Sequence, residues 1–321
     1  MKKIITIIIT AAILLGVTAC SEGRENSAVS GLNAAGDNKN SKTSSDTLPL
    51  TGNVKILGKE YDIATTTEVN IPADGLTDEQ LREIVPELAG LPKLTALYLN
   101  ANQITDITPL GSLTGLKRLF LDDNKISDIS PLENLTELKT LSLYGNEVTD
   151  ITPLAKMEKL TELELGGNSV RDLSPLSELP ALTHLGLDDN GISDISPLAD
   201  IESLTQVSLY LNEISDISPL SGLTGLTRLF LSNNQISDIS PLSGLTNLTE
   251  LRLDSNLIDD ITPLKGLADL RVLTMGQNKV EDITPILKLT GLAQVNLWWN
   301  YVSDEDIERL KTALPYCEIQ T

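Results

Sequence analysis

The sequence holds little of what a catalytic site needs. His184 is the single histidine. Glu162 and Glu164 are a pair of carboxylates of the kind that acid and base catalysis uses, but they stand two residues apart, which places both on one exposed face of a strand. No H-E-x-x-H, G-x-S-x-G or glycine-rich phosphate loop occurs along the 321 residues. We therefore expect no enzymatic activity, no catalytic residue, no cofactor and no metal site.

Cys20 is the one residue whose setting indicates a covalent modification. Two lysines precede an apolar run over residues 4–15, which is too short for a permanent span but typical of a signal peptide. The ending Val17-Thr18-Ala19-Cys20 resembles a bacterial lipobox, in which the cysteine receives diacylglycerol and becomes the mature N-terminus. That resemblance implies a lipoprotein signal peptide over residues 1–19 and lipidation of Cys20; an ordinary secretory signal is the alternative.

Residues 20–52 carry the lipidated cysteine and hardly any apolar side chain, so we expect a flexible tether. Residues 48–52 match the sortase signal L-P-x-T-G. That signal acts at a C-terminus, before an apolar stretch and a basic tail, whereas in this chain a long folded domain follows it. The sequence therefore predicts an extracytoplasmic protein attached to a bacterial cell membrane through Cys20.

Asparagine recurs every 22 residues from Asn102 to Asn300, ten times without an insertion. The text around each one reads L-x-x-L-x-L-x-x-N-x-I-x-D-I-x-P-L-x-x-L, which resembles the leucine-rich repeat, and the D-I-S/T-P-L ending is similar to the internalin-like 22-residue subclass. The resemblance implies an α/β solenoid: a horseshoe with a concave parallel β-sheet, convex 3₁₀ or irregular segments, and helical caps at both ends. It also implies recognition of another protein, in adhesion or in envelope contacts.

The residues of one repeat predict the same elements independently. Leu119 and Leu121 alternate with polar and aromatic residues, a period of two that is typical of a short strand with one buried face. Ser130-Pro131 then provides a capping hydroxyl and a proline, but few residues remain before the next strand, so a short 3₁₀ segment fits better than an α-helix.

Two polar positions recur with the leucines. We expect the asparagines to be buried and hydrogen-bonded to the backbones of neighbouring turns. The aspartates that follow each by four residues, from Asp106 to Asp304, are expected to form hydrogen bonds within turns. Ligands one per turn, about 5 Å apart, do not converge on one calcium ion.

A single turn cannot fold alone, so the array needs caps. The sequence predicts an N-terminal cap and a long first repeat over residues 53–93, ten repeats over residues 94–300, and a C-terminal cap over residues 301–321. Asp74 takes the asparagine slot of the first repeat, a helix begins near Thr77, and a second helix opens at Ser303. Cys317 is expected to be a small buried residue of the last turn.

The net charge of −21 argues against a nucleic acid as partner, because phosphate binding needs a basic stripe. We expect a monomer that binds a protein on the cell envelope or on a host surface. Seven of the ten aromatic residues fall in outward slots of the predicted strands or directly after them, where they could form a binding patch. Phe120 and Phe230 share the text Gly-Leu-x-Arg-Leu-Phe-Leu and are expected anchors. The predicted ligand-binding residues of the concave face are Tyr98, Arg118, Phe120, Tyr144, His184, Tyr210, Arg228, Phe230, Arg252, Trp298 and Trp299.

Three alternatives stay open at this point. Aromatic platforms beside carboxylates also suit a glycan. A passive spacer without any ligand is a third class of function. The preference of β-strands for aromatic residues could place these side chains outward without any binding role.

Overall fold

The computed structural model describes residues 52–71, 73 and 75–321. The predicted signal peptide, Cys20, most of the tether and Asp74 lie outside the described residues. Within the described part, none of the helices has the length and apolar character that are needed to cross a membrane.

Twelve short strands form one parallel sheet in the order in which they occur along the chain, next to a two-stranded antiparallel hairpin, β1–β2. The hairpin and the sheet consist of β1 (Asn53–Ile56), β2 (Lys59–Asp62), β3 (Glu68–Asn70), β4 (Ala96–Tyr98), β5 (Arg118–Phe120), β6 (Thr140–Ser142), β7 (Glu162–Glu164), β8 (His184–Gly186), β9 (Gln206–Ser208), β10 (Arg228–Phe230), β11 (Glu250–Arg252), β12 (Val272–Thr274), β13 (Gln294–Asn296) and β14 (Glu318–Gln320).

The constant repeat length sets the register of this sheet. Leu119 of β5 pairs with Leu97 of β4 and with Leu141 of β6, each 22 residues away. Because no turn from β4 to β13 has an insertion, identical slots lie side by side throughout that stretch. Each slot therefore becomes a row that runs along the solenoid.

The convex side consists of 3₁₀ segments, and an α-helix covers each end. Helix α1 (Asp78–Ala89) begins with a capping box between Thr77 and Gln80, and α2 (Asp304–Ala313) is capped by Ser303, whose hydroxyl accepts from the backbone N–H of Asp306 at 3.1 Å. The 3₁₀ segments are Thr108–Ser112, Ser130–Asn134, Thr152–Lys156, Ser174–Glu178, Ser196–Asp200, Ser218–Gly222, Ser240–Gly244, Thr262–Gly266 and Thr284–Ile286. The predicted fold class is confirmed.

The core is a stack of near-identical aliphatic layers. In the turn of β5 every inward side chain is at most 1% exposed. Each fully buried leucine or isoleucine contributes about 1.5–3 kcal/mol relative to an exposed one, so the stack supplies most of the driving force for folding. These inward residues are Leu116, Leu119, Leu121, Ile126, Ile129, Leu132 and Leu135.

The asparagines join neighbouring turns, as predicted. Asn190, which is 4% exposed, donates through Nδ2 to the carbonyls of Leu165 and Leu187 at 3.0 and 3.2 Å. Its Oδ1 accepts from the backbone N–H of Val170 at 2.9 Å. Since Leu165 and Val170 belong to the preceding turn, one amide satisfies backbone groups of two turns.

The recurring aspartates begin the 3₁₀ segments. Asp128 Oδ1 accepts from the backbone N–H of Ser130 at 2.8 Å, and the same bond recurs in eight other turns. The predicted turn hydrogen bond is confirmed, but the predicted capping hydroxyl is wrong. Ile129 occupies the cap position and no side chain caps the segment there. Ser130 is instead the first residue of the segment, and its backbone N–H donates to the Asp128 carboxylate.

Candidate binding surface on the concave sheet

Three outward rows make up the concave face of the sheet. In the turn of β5 they hold Arg118, Phe120 and Asp122, and we number the rows one to three in that order. Each row continues in steps of 22 residues, so that row two runs from Tyr98 to Asn296. All of the predicted ligand-binding residues lie in these rows except Trp299, which follows row three by one residue.

An aromatic pair occupies the N-terminal part of the face. The rings of Tyr98 and Phe120 stack with their centroids 4.7 Å apart and their planes 3° from parallel. Both side chains are half-buried, and Arg118 forms an ion pair with Glu68 of β3. The pair gives a flat apolar surface next to a charged one, as the anchors of protein interfaces often do.

Phe230 differs from Phe120 in its exposure and its surroundings, although the two residues have the same sequence motif around them. It is 7% exposed, and the guanidinium carbons of Arg228 and Arg252 lie 5.7 and 5.1 Å from its ring centroid. Both arginines bind the carboxylate of Glu250, at 2.9 and 2.5 Å. The expectation that Phe230 faces solvent as Phe120 does is therefore wrong, because the neighbouring turn supplies Arg252, whereas Phe120 has Ser142 in that place. Its role as a binding anchor stays a prediction.

Glu250 itself is buried at the strand interface. Burial acts to raise the pKa of its carboxyl, but the hydrogen bonds and charges of Arg252 and Arg228 outweigh that effect and lower the pKa. Two guanidinium groups share this one carboxylate, so the group keeps one net positive charge and presents arginine edges and cation–π contacts.

The centre of the face holds two tyrosines with several carboxylates. Asp122 accepts the hydroxyl of Ser142 and, at 3.0 Å, the backbone N–H of Tyr144. Three turns further on, Asp188 accepts the hydroxyl of Ser208 at 2.5 Å and the N–H of Tyr210 at 2.8 Å. These aspartates thus join adjacent turns, and each also fixes the backbone of a tyrosine.

These row-three aspartates are not among the residues predicted from the sequence. Asp254 makes the same pair of bonds, to the hydroxyl of Thr274 and to the backbone N–H of Gly276 at 2.9 Å. The signal that could have found them is a row-three aspartate followed 20 residues later by Ser or Thr, which occurs three times at intervals of three turns. This pattern is hard to recognise in the sequence, because the period of 22 residues is much stronger.

Glu164 lies between the two tyrosine-bearing turns, and its surroundings differ from the exposed strand face that the sequence predicts. Its side chain is only partly exposed and extends over Gly186, where a Cβ would overlap with Glu164 Oε2. Burial raises the pKa of this carboxyl to about 8, and the charges of Asp188, Asp122 and Glu162 act in the same direction. No hydrogen bond from a described residue offsets these effects.

A second glycine gives Tyr144 its position. A Cβ at residue 166 would lie 2.9 Å from Tyr144 Cδ2, so the ring lies flat against the backbone of Gly166. Burial and the charge of Asp123, followed by those of other nearby aspartates, raise the pKa of the Tyr144 phenol. The phenol is therefore neutral and can donate a hydrogen bond at physiological pH.

His184 is in row one and half-buried. Its Nδ1 lies 2.8 Å from the hydroxyl of Thr183, and its strand neighbours are Glu162 and Gln206. The Thr183 hydroxyl donates its proton to the carbonyl of Thr161 at 2.9 Å and not to the ring, and no serine or cysteine is hydrogen-bonded to this ring among the described residues. The geometry suits a polar contact of the face and not a nucleophile–base pair.

Two tryptophans end the surface near the C-terminal cap. Trp298 and Trp299 are 52% and 78% exposed, and both follow β13 instead of lying within it. Trp299 has a φ of +57°, a left-handed conformation that costs a non-glycine residue about 1–2 kcal/mol. It borders a groove of about 410 Å³ together with Ile307 and Lys311 of α2.

The arrangement is suited to binding. Among the described residues no group of three or more histidines, cysteines or acidic residues is placed to hold a metal ion. The concave face instead combines flat aromatic groups with separated charges along a rigid sheet. The ligand-binding role of each named residue stays a prediction.

Comparison with known proteins agrees with this architecture. Five segments match the family described as Leucine Rich repeats (2 copies), namely residues 114–156, 158–200, 180–225, 202–242 and 224–266. The structure is similar to the internalin InlF of Listeria monocytogenes, at 34% identity and a TM-score of 0.72 over 82% of this chain and 86% of that one. No curated protein matches the chain.

Two further solved structures extend the comparison. Internalin C2 of Listeria monocytogenes is 35% identical, with a TM-score of 0.58 over 68% of this chain and 92% of that one. A leucine-rich-repeat protein of Leptospira interrogans shares the fold at 21% identity and a TM-score of 0.60, over 78% of this chain and 83% of that one.

The parallel sheet, the 3₁₀ segments and the asparagine ladder define a leucine-rich-repeat protein. The chain shares about a third of its residues with two internalins over most of its length. It therefore belongs to the internalin-type leucine-rich-repeat proteins. Proteins of this class generally recognise other proteins on an extended concave surface.

Proposed function

We propose that this chain is a lipid-anchored, extracytoplasmic binding protein whose concave face recognises another protein, without catalysis. The observation that carries this proposal is the distribution of aromatic and charged groups along the face. The Tyr98–Phe120 stack, the tyrosines of the centre and the arginines around Phe230 follow one another from β4 to β11. Seven strand spacings of about 4.8 Å give a span of about 34 Å, which suits a protein surface better than one sugar ring.

Photo-crosslinking in intact cells tests this proposal. Benzoylphenylalanine replaces Phe120 on the concave face and, as the matched control, Glu133 in the 3₁₀ segment of the same turn. We expect a protein partner to be captured from residue 120 and not from residue 133. Equal capture from both positions, or capture from residue 133 alone, would contradict a concave binding face.

The exposed tryptophans favour a glycan as the second candidate ligand. Trp298 and Trp299 provide flat exposed aromatic surfaces, and Trp299 shares its groove with Asp304, a combination that suits sugar rings. A glycan ligand predicts that binding is lost on replacing these two tryptophans by serine and is unaffected at Phe120. A protein ligand predicts losses from several separated turns.

A further inference from the structure

We propose that the centre of the concave face, between Tyr144 and Tyr210, binds a lysine or arginine side chain of the protein partner. This inference rests on the proposed function and specifies the chemistry of the partner. It is carried by three features of the turns of β6 to β9: their charge, the unpaired carboxyl group of Glu164, and the two tyrosines.

The charge of this centre is one-sided. The three outward rows of these four turns contain Glu162, Glu164 and Asp188 but no lysine or arginine, and Asp122 lies at the edge. The arginines elsewhere on the face already pair with Glu68 and Glu250. Among the described residues, no ion pair involves any of the central carboxylates, so an incoming cation meets no competing one.

Glu164 is the carboxylate without a partner. Asp122 and Asp188 each accept a hydroxyl and a backbone N–H, which satisfy them inside the protein. The carboxyl of Glu164 receives no such bond from the described residues, although burial and like charges both disfavour its ionised form. A bound ammonium or guanidinium would supply the missing hydrogen bonds and cancel the like-charge repulsion.

Two tyrosines add aromatic surfaces to the acidic residues of this centre. The Tyr144 ring lies flat on Gly166, and Tyr210 is held by its backbone N–H on Asp188. Burial, followed by the charges of Asp188 and Asp189, raises the pKa of the Tyr210 phenol, so both phenols are neutral. Aromatic rings beside carboxylates contact the alkyl stem of a basic side chain and attract its cationic end.

The geometry points to an organic cation. The described carboxylates and His184 do not converge in the way that three metal ligands must. The Tyr144 ring lies over Gly166 and the Glu164 carboxyl lies over Gly186, so both groups lie low on the sheet. A long side chain with a terminal charge can reach groups that lie low on the sheet, and a surface of a protein partner presents one.

The test titrates the full chain, carrying ¹³C-labelled tyrosine, with N-acetyl-lysine amide and N-acetyl-arginine amide. The chain has only six tyrosines, so each ring signal can be assigned by substitution. N-acetyl-norleucine amide keeps the alkyl chain without the ammonium and is the neutral control. Tyr316, which is 97% exposed in the C-terminal cap, is the control ring.

We expect both cationic amides to shift the Tyr144 and Tyr210 signals saturably, and the neutral amide and the Tyr316 signal to show no such effect. Glu164→Gln is expected to weaken this binding by about ten-fold. Glu147→Gln removes the same charge from an exposed position outside the concave face, and we expect it to change the affinity for the cationic amides by less than about two-fold. Equal shifts with the neutral amide, or unchanged affinity of Glu164→Gln, would overturn the inference.

Proton release gives a second readout that needs no variant. A bound cation favours the ionised form of Glu164, so its pKa falls from about 8 and protons are released at pH 7. Asp188, Asp122 and Glu162 are the charged groups that act on this carboxyl, and their charges oppose its ionisation. Binding without proton release would contradict a role for Glu164. Crosslinking from residue 120 without cation selectivity would overturn this inference alone and leave the proposed function standing.

Discussion

The Glu164 carboxyl lies directly over the Cα of Gly186, in the space that a side chain at residue 186 would otherwise fill. Residue 164 belongs to row two of β7 and residue 186 to the same row of β8. The missing side chain therefore allows the carboxyl to lie along the sheet, close to Asp188 and partly out of water.

Gly186→Ala is expected to move this carboxyl toward solvent. The methyl group displaces the flexible end of Glu164, so the free energy of unfolding should change by no more than about 0.5–1 kcal/mol. The pKa of Glu164 should fall from about 8 toward its ordinary 4.5, measured by ¹³C NMR of the carboxyl. Gly222→Ala, at a glycine with open space around it, is the control. An unmoved pKa would show that Gly186 does not set the position of Glu164.

The raised pKa of Glu164 predicts a pH dependence of stability. Between pH 4.5 and pH 8 the native chain binds a proton that the unfolded chain releases, so the contribution of this group to stability decreases as pH rises through that window. We expect a loss of about 1–3 kcal/mol across the window. Urea unfolding at several pH values measures it. Glu164→Gln should reduce this slope and Glu147→Gln should not; equal slopes for the two variants would argue against Glu164 as the source.

Phe120→Ser and Phe230→Ser are expected to differ in their effects on folding. Phe120 is half-buried against Tyr98, so its loss should cost about 0.5–1 kcal/mol. Phe230 is 7% exposed beneath two arginines, and its loss should cost about 2–4 kcal/mol. The difference in denaturant midpoint between the two variants is the measurement. Similar midpoints would mean that Phe230 is not more deeply packed than Phe120.

Asn190→Ala is expected to lower the free energy of unfolding by about 1–3 kcal/mol, because the backbone groups of Leu165, Leu187 and Val170 lose their partner. Chemical denaturation checks this. Gln235→Ala, at an exposed position of another turn, should change the free energy of unfolding by less than about 0.5 kcal/mol. If the two variants unfold alike, the asparagine ladder does not stabilise the stack.

Cys20→Ala is expected to abolish lipidation, because the thiol is the group that a lipobox cysteine uses. The variant should incorporate no labelled palmitate and should be found uncleaved or released from the membrane fraction. Cys317→Ala is the matched control and should be labelled like the unaltered chain. Labelled palmitate on Cys20→Ala would contradict the lipid anchor.

The sequence by itself determined the solenoid and its interior. A period of 22 residues without insertions puts each leucine, asparagine and aspartate of one turn beside its equivalent in the next. Core layers, strand register and the bonds of Asn190 and Asp128 therefore follow from local pattern and repetition. These positions have near-identical neighbours, and one turn is enough to predict them all.

Only the tertiary structure decided the contacts, the burial and the pKa shifts of the side chains in the outward rows. There many neighbours of a side chain belong to other turns of the solenoid, and they differ from turn to turn. Phe120 stacks on Tyr98, whereas Phe230 lies beneath Arg228 and Arg252, although both belong to the same seven-residue sequence motif. The raised pKa of Glu164 depends in the same way on carboxylates of other turns and on a glycine of the adjacent strand, because burial and charge act through space and not along the chain.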